Sequence, residues 1–228
     1  MKIDILTLFP EMCESVLNES IIGRARKSGK VSVDCLNIRD FAGNKHNRVD
    51  DAPYGGGKGM VMQADPIYNC FLSLFDEKKE KRPYLVYMSP KGKNFKQSDA
   101  VRFSKMDRLV LLCGHYEGVD QRVIDEIVDE EISIGDYVLT GGELPALVVT
   151  DAVCRMLDGV LSEEVCFTEE SHFNGLLEYP HYTRPEVWHG VSVPDVLLSG
   201  HHVNIAKWRE EKSVEITQKL RPDMLENK

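Results

Sequence analysis

The sequence of residues Ile134–Pro145 is IGDYVLTGGELP, and this stretch is the part of the chain that is most informative about the fold. Three glycines, one proline and single Asp and Glu residues interrupt an apolar run that could otherwise form one strand. Glycine permits backbone conformations closed to other residues and lets a ligand approach the main chain closely. Leu144 and Pro145 then begin a long apolar segment, and proline is tolerated in the first turn of a helix. The stretch therefore predicts a ligand-binding loop that leads into a helix.

The composition around this loop is that of an ordinary globular protein. The chain has 228 residues, of which 42% are hydrophobic and 29% charged, so it suits one large domain or two modest ones. No apolar run reaches the roughly 18 residues needed to cross a bilayer. The N-terminal MKIDILTLFPE lacks the apolar region of a signal peptide. We therefore expect a cytoplasmic protein without a membrane partner.

The cysteines and the charge pattern exclude several classes of protein. The six cysteines are far apart and form no C-x-x-C pair, which argues against a zinc ribbon or a disulfide framework and predicts small buried side chains. The net charge of −9 is not that of a simple nucleic-acid binder. Residues 22–48 nevertheless carry a local charge of +5, and residues 117–131 a local charge of −6. These segments are either solvated surfaces or a basic RNA-facing patch and an acidic pocket for a cationic ligand.

Hydrophobic periodicity predicts alternating strands and helices over the first 160 residues. The predicted strands are Lys2–Phe9, Val31–Ile38, Tyr84–Met88, Arg108–Cys113 and a fifth that ends near Ile134. The predicted helices are Glu11–Val16, Ile21–Lys27, Asp65–Glu77 with Asp65 as its N-cap, Gln97–Ser104, Val119–Ile127 and Leu144–Leu157. This alternation is typical of an α/β fold with much parallel pairing. Three strands end in Gly- or Pro-containing loops, and ligands favour the carboxyl ends of strands in open α/β sheets.

The remaining sequence predicts a second, smaller domain. Residues 160–177 are polar and weakly periodic, which indicates a linker between a domain of residues 1–159 and one of residues 178–228. The last part contains a predicted helix from His202 to Leu220. Its tryptophans, Trp188 and Trp208, are expected in the core of the small domain, with stacking on RNA as the alternative.

Two glycine-containing motifs are candidates for chemistry. YGGGKGM at 54–60 matches neither the P-loop nor the G-x-G-x-x-G pattern, so it is either a mobile turn or a flap that contacts a substrate. GHYEG at 114–118 follows a predicted buried strand. Its His115 lacks the partners of a metal site, and Glu117 is either a surface acid or a carboxylate that contacts a ribose or a cation.

Together with DEEISIGDYVLTGGELP and GLLEYPHYTRPEVW, these motifs closely resemble the bacterial tRNA (guanine-N1)-methyltransferases of the SPOUT class. The resemblance extends from LFPEM near the start to RPDML near the end. It implies a SPOUT-type α/β sheet with a deep trefoil knot, followed by a small, mainly helical C-terminal domain. It also implies a homodimer that transfers the methyl group of S-adenosylmethionine to N1 of guanosine at position 37 of tRNA, next to the anticodon. A magnesium requirement is associated with the family, although no metal site is identifiable in the sequence.

The resemblance also implies roles for particular residues of this chain. The implied cofactor contacts are Met88, Ser89, Pro90, Gly114, Glu117, Ile134, Gly135, Asp136, Tyr137, Val138, Leu139, Gly141, Gly142 and Pro145. The implied tRNA contacts are Gly55, Gly56, Gly57, Gly59, His181, Tyr182 and Arg184. Arg155 occupies the position of an arginine that assists the reaction, and Glu170 the position of the proposed general base.

Glu170 is a departure from the family pattern, which has aspartate at this point. Glutamate keeps the carboxylate and adds one methylene, so the general-base role is retained with a small adjustment of the backbone or rotamer. The adjacent Glu169 is an alternative base. Two other functions stay open from the sequence: methylation of ribose or another base by a related SPOUT enzyme, and binding of RNA or cofactor without transfer.

Overall fold

The structure of the chain, a computed structural model, describes residues 1–162 and 170–225. The expectations for Cys166 and Glu169 concern residues outside these ranges. The chain divides into two compact units, Met1–Ser162 and Glu163–Lys228, and each is described by itself.

The first unit alternates strands and helices, as predicted. In chain order its elements are β1 (Lys2–Thr7), α1 (Pro10–Leu17), α2 (Ser20–Lys27), β2 (Ser32–Asn37), β3 (Asp50–Asp51), β4 (Val61–Met62), α3 (Ala64–Leu72), β5 (Tyr84–Asn94), α4 (Gln97–Ser104), β6 (Arg108–Cys113), α5 (Gln121–Ile127), β7 (Glu130–Ser133) and α6 (Glu143–Cys154). Five of the strands form one sheet in the order β2-β1-β6-β5-β7, and all of its neighbouring strands are parallel. The expectation of a parallel α/β sheet is confirmed.

Both faces of this sheet are buried, and β6 shows why. Side chains alternate between the faces of a strand. Accordingly Leu109 and Leu111 pack into one apolar cluster, whereas Val110 and Leu112 pack into a second. The continuous apolar run at residues 109–113 is therefore fully buried, which is the pattern of a parallel sheet covered by helices on both sides, while Arg108 before it is half-buried.

The cysteine thiols follow the expectation from the sequence where they are described. Cys13, Cys70, Cys113 and Cys154 are free and buried, and Cys35 is free and half-buried. Burial raises the pKa of Cys113 well above its usual range, so this thiol is not poised as a nucleophile.

Several boundaries in the first unit differ from the sequence prediction, among them the end of β1 at Thr7 rather than Phe9 and the end of α6 at Cys154 rather than Leu157. β5 does not end at Met88, because its pairing with β7 resumes at Lys93 after an irregularity, so the expected turn lies within the strand. α3 ends at Leu72 rather than Glu77, and its N-cap is Gln63, so the assignment of Asp65 as N-cap was wrong. α5 begins at Gln121, because the Asp120 side chain accepts a hydrogen bond from the Arg122 amide at 3.0 Å and caps the helix there.

The long glycine-rich connection between β2 and α3 is partly structured. A short 3₁₀ helix at Ile38–Phe41 follows β2, and β3 pairs with β4 in an antiparallel hairpin. Gly55, Gly56, Gly57 and Gly59 lie between these two strands, and all four have positive φ angles. Other residues rarely adopt such angles, so the glycine run determines the shape of this loop.

The second unit contains short elements and one long helix. They are β8 (Val187–Trp188), β9 (Val191–Ser192), α7 (Asp195–Leu198), α8 (His202–Leu220) and a 3₁₀ turn at Pro222–Met224. The predicted helix from His202 to Leu220 is confirmed. Within the unit, the amide of Leu177 donates a 2.8 Å hydrogen bond to the hydroxyl of buried Thr217.

The expected core position of Trp188 was wrong, since this side chain is 67% exposed on the β8–β9 hairpin. Trp208 is half-buried. Within residues 1–162 and 170–225, no helix combines the length and apolar character needed to cross a bilayer.

Candidate active site

A cavity of about 260 Å³ lies beside the middle of β5 and at the carboxyl ends of β6 and β7. Its walls come from residues 87–91 within β5, residues 114–119 after β6, residues 131–135 and 137–142 within and after β7, Gln121 and Ile124 of α5, and Pro145 of α6. Parallel strands bring their carboxyl ends to one edge of a sheet, and ligands bind there. The prediction that the three strand-end segments are neighbours is confirmed, although the first lies within β5 rather than after its end.

Two glycines allow the cavity-forming loops to touch through their backbones. The amide of Gly142 donates a 2.9 Å hydrogen bond to the carbonyl of Gly114. A Cβ added to Gly142 would lie 2.7 Å from the Cα of Cys113, and a Cβ on Gly114 would lie 2.7 Å from the hydroxyl oxygen of Tyr87. Side chains at these positions would separate the loops, so glycine is required for the observed wall.

Tyr87 supplies a neutral hydroxyl beneath the loop that follows β6. Burial, with a smaller contribution from the negative charge of Glu131, raises the pKa of Tyr87 to about 12. The phenol therefore stays protonated at neutral pH and packs below Gly114 without adding charge to the cavity.

The glycine-rich loop of residues 55–59 does not line the cavity but adjoins Glu117, which does. β4 joins the loop after β6 through backbone hydrogen bonds, from the Glu117 amide to the Met60 carbonyl at 3.0 Å and from the Met62 amide to the Gly118 carbonyl at 2.9 Å. A Cβ on Gly59 would lie 2.3 Å from a carboxylate oxygen of Glu117. A motif interpreted as a possible substrate flap thus adjoins a loop interpreted as a cofactor contact.

The predicted cofactor residues map closely onto this cavity. All of them line it except Asp136, which lies outside the lining: Met88, Ser89, Pro90, Gly114, Glu117, Ile134, Gly135, Tyr137, Val138, Leu139, Gly141, Gly142 and Pro145. The lining residues that the sequence interpretation did not include as contacts are, among others, Lys91, Tyr116, Glu131 and Thr140, with Gln121 and Ile124 of α5, and it set aside His115. Their position within or beside the same motifs was the signal that could have identified them. The lining is a geometric finding, and the binding roles stay predictions.

The two residues predicted to be catalytic belong to different units. Arg155 follows the last turn of α6 and is its C-cap in the first unit. Glu170 belongs to the second unit. Both make contacts with other residues of the protein.

The residues predicted to contact tRNA in the second unit lie among aromatic and charged side chains. Nε2 of His181 lies 2.8 Å from a carboxylate oxygen of Glu178, and the rings of Tyr182 and Trp208 are 6.3 Å apart. Arg184 is exposed. The guanidinium of Arg209 lies over the Tyr179 ring, 4.7 Å from its centre. The sequence interpretation did not name Tyr179.

No group of three or more His, Cys, Asp or Glu side chains is arranged to hold a metal ion in the part of the chain that the structure describes. The possible magnesium requirement therefore has no assigned site.

The fold and the cavity define an α/β protein with a glycine-walled ligand site at the carboxyl edge of a parallel sheet. Comparison with known proteins identifies the family within this class. The family model described as tRNA (Guanine-1)-methyltransferase TrmD matches residues 1–227. The chain belongs to this family.

Curated relatives match nearly end to end and carry the name tRNA (guanine-N(1)-)-methyltransferase. The protein from Ruminiclostridium cellulolyticum is 57% identical, over 98% of this chain and 96% of the relative. The protein from Alkaliphilus oremlandii is 56% identical, over 100% of this chain and 93% of the relative. The protein from Clostridioides difficile is 52% identical, over 98% of this chain and 97% of the relative.

Proposed function

We propose that this protein transfers the methyl group of S-adenosylmethionine to N1 of guanosine at position 37 of tRNA. The observation that carries the proposal is that the segments bearing the family motifs meet around one cavity, beside the middle of β5 and at the carboxyl ends of β6 and β7. Family membership over residues 1–227 supports the reaction class, as do the names of relatives more than half identical to the chain.

The cavity fits S-adenosylmethionine chemically. Its wall is closely packed backbone at Gly114 and Gly142, where a Cβ would meet Tyr87 or Cys113 and push the cavity loops apart. Apolar side chains such as Leu139 lie beside the carboxylates of Glu117 and Glu131, and these acids complement a positively charged ligand. When bound, S-adenosylmethionine supplies a methyl group activated by its sulfonium.

The protein must remove the N1 proton of guanine, which is present at neutral pH. A general base within hydrogen-bond reach is needed, and we assign this role to Glu170. As the proton leaves, negative charge develops on O6 of the base. We assign stabilisation of that charge to the guanidinium of Arg155. Holding the two reactants in line lowers the barrier further.

We assign tRNA binding to two surfaces. One is the loop of Gly55, Gly56, Gly57 and Gly59, whose left-handed backbone is exposed and adjoins Glu117. The other is the surface of the second unit around His181, Tyr182 and Arg184, together with Trp208 and Arg209. Aromatic rings and arginines are the groups that stack on splayed single-stranded bases and contact phosphates.

We further propose that the protein is a homodimer. Helices α1 and α6 pack together in the first unit, and large apolar side chains of both are exposed. These side chains are Phe9, which precedes α1, Met12 and Val16 of α1, and Leu144 and Val148 of α6. Exposed apolar patches mark interaction sites, and a patch that pairs with its own copy gives the two-fold dimers that are commonest among oligomers.

The deep trefoil knot is also part of the proposal. Two close backbone crossings support it. β5 pairs with β7 both before and after residues 89–92, and a Cβ on Gly92 would lie 2.5 Å from the amide nitrogen of Ile132. Gly142 approaches Cys113 in the same manner. Such crossings suit a chain threaded through its own loop, an arrangement nearly absent among proteins generally.

Three further assignments belong to the proposal. We propose residues 1–159 as the catalytic domain, residues 160–177 as the linker and residues 178–228 as the tRNA-binding domain. A cytoplasmic location suits a tRNA substrate. The magnesium requirement stays a prediction, to be checked by adding and chelating the metal in the transfer assay.

The test is a transfer assay with methyl-labelled S-adenosylmethionine and unmodified tRNA transcripts that carry G or A at position 37. We expect label only on the G-bearing transcript, at N1 of that base. Label on both transcripts would overturn the assigned position. Label on a 2′-hydroxyl would favour a ribose methyltransferase, and tight cofactor binding without any product would favour a binding protein.

A further inference from the structure

A buried carboxylate that does not line the cavity stands directly behind it. Glu143, in the first turn of α6, is only 3% exposed. The hydroxyl of fully buried Thr7, at the end of β1, donates a 2.8 Å hydrogen bond to Oε1 of Glu143. The same hydroxyl accepts a 2.9 Å hydrogen bond from the amide of Phe9. A buried carboxylate is costly unless it is hydrogen-bonded, so this contact fixes the start of α6 to the end of β1.

The second oxygen of Glu143 faces the cavity loop. A Cβ added to Gly141 would lie 2.4 Å from Oε2 of Glu143 and 2.8 Å from Nδ1 of His115. The two polar atoms are therefore near neighbours across Gly141. Nδ1 of His115 is buried and has no hydrogen-bond partner among the residues that the structure describes. A ring N–H is a donor that a carboxylate accepts, and buried polar groups are nearly always paired.

His115 is itself held on its other side. Its ring packs 5.2 Å from the ring of Phe9 and 4.9 Å from that of Tyr116. It also lines the cavity, whereas Glu143 and Thr7 are absent from the lining among the described residues. The carboxylate thus stands where three segments converge: the end of β1, the loop after β6, and the Gly141–Gly142 segment before α6.

We propose that Glu143 is a positioning residue for the cofactor loop. One oxygen of Glu143 accepts a hydrogen bond from the Thr7 hydroxyl. The other accepts a hydrogen bond from Nδ1–H of His115 when S-adenosylmethionine is bound. Together these hydrogen bonds hold Gly141 and Gly142 in the conformation that binds the cofactor. This inference rests on the proposed function, because it names S-adenosylmethionine as the ligand. Glu143 acts through the backbone of the loop and touches neither substrate nor reacting atoms.

The test compares binding with turnover in the full-length protein. Glu143→Gln keeps the shape of the side chain but replaces one acceptor oxygen with a donor. Because a hydrogen bond to a charged group stabilises by the equivalent of about tenfold in an equilibrium constant or more, we expect the Kd and KM for S-adenosylmethionine to rise about tenfold. The kcat at saturating cofactor should stay within about threefold of wild type.

Thr7 provides a matched pair of variants. Thr7→Val removes the hydroxyl with little change in shape and should weaken cofactor binding several-fold, whereas Thr7→Ser should restore wild-type affinity. The double variant Glu143→Gln with Thr7→Val should bind no more weakly than Glu143→Gln alone, since both changes break one network. Glu80→Gln, an exposed substitution, is the control and should leave all values unchanged.

Binding measured by calorimetry decides the inference. Wild-type affinity in Glu143→Gln, or equal affinity in Thr7→Val and Thr7→Ser, would overturn it. If Glu143→Gln does not fold, the Thr7 pair decides alone. A wild-type protein that does not bind S-adenosylmethionine would overturn the proposed function together with the inference, whereas normal binding by wild type and variants alike would overturn the inference only.

Discussion

The two units of the chain bury their side chains to very different extents. In the first, both faces of the sheet are covered by apolar clusters, and the cavity loops are held by backbone contacts between Gly142 and residues 113–114. In the described part of the second, the buried residues are Ser213 and Thr217, whereas Trp188 and other large side chains are exposed. The first unit thus surrounds its cavity with a closely packed wall, which suits the small ligand of the proposed function. The second presents aromatic and charged groups outward, which suits a large, extended partner.

A large effect is expected at Arg155, which the proposal places next to the reacting base. Arg155→Gln removes the cation that stabilises charge on O6, and loss of one such donor costs about 10²–10³ in rate. Single-turnover methyl transfer should fall by that factor while cofactor affinity stays near wild type. Arg155→Lys, which keeps the charge but not the planar fork, should fall between the two. An unchanged rate in Arg155→Gln would remove this residue from the reaction.

Cofactor affinity should fall more when a methyl group is added to the backbone wall of the cavity than when one is added to an open loop. In Gly142→Ala the new Cβ would meet the backbone of Cys113 and Gly114, which cannot rotate away, so overpacking should destabilise by about 1–3 kcal/mol. We expect cofactor affinity to fall at least about tenfold, measured by calorimetry beside a thermal melt.

The matched control for that variant is Gly43→Ala. Gly43 has a φ of +64° and open space around its Cβ position, so the alanine costs about 1–2 kcal/mol through backbone conformation alone. Its cofactor affinity should equal that of wild type. If both alanines weakened cofactor binding equally, the cavity wall would have no special role.

The exposed aromatic groups of the second unit should affect tRNA and leave the cofactor untouched. Tyr182→Ala removes a ring that lies 6.3 Å from that of Trp208. Since stacking on a base is worth about 1–3 kcal/mol, we expect tRNA affinity to fall about tenfold in a filter-binding titration. Tyr182→Phe, which keeps the ring, should bind normally, and equal affinity for all three proteins would exclude stacking at this position.

The smallest effect concerns stability of the first unit. A hydrogen bond from Arg26, at 2.8 Å, lowers the pKa of Glu14 below its usual value. The ionised carboxylate therefore contributes stability above its unfolded-state pKa, and this contribution is lost as the pH falls through the folded-state pKa. At pH 7, Glu14→Gln should lower the free energy of unfolding by on the order of 0.5 kcal/mol. Urea titrations should show this difference shrinking towards pH 3, and a constant difference would contradict the ion pair.

Much of the fold could be predicted because its signals are local. The helices Gln97–Ser104 and His202–Leu220 and the strand Arg108–Cys113 lie where the periodicity indicated them. The convergence of three loops followed from the rule that parallel strands end at one edge. The errors at Met88 and Asp65 arose because tertiary pairing extended β5 and because the hairpin before α3 moved its start to Ala64.

The parts that could not be predicted depend on contacts between distant residues. Thr7 and Glu143 are 136 positions apart, and neither belongs to a recognisable catalytic pattern. The exposure of Trp188 likewise depends on a two-residue hairpin that leaves its ring outside any core. Motifs indicated which loops form the cavity, whereas the side chains that hold those loops became apparent only in the fold.

The central claim is that cofactor binding belongs to the first unit and proton removal to Glu170 in the second. The most direct measurement compares wild type with Glu170→Gln, recording the Kd for S-adenosylmethionine and the single-turnover rate on tRNA with guanosine at position 37. We predict an unchanged Kd and a rate lower by about 10²–10⁴, the usual contribution of a general base. Full transfer activity in Glu170→Gln would contradict the account and point to Glu169 instead.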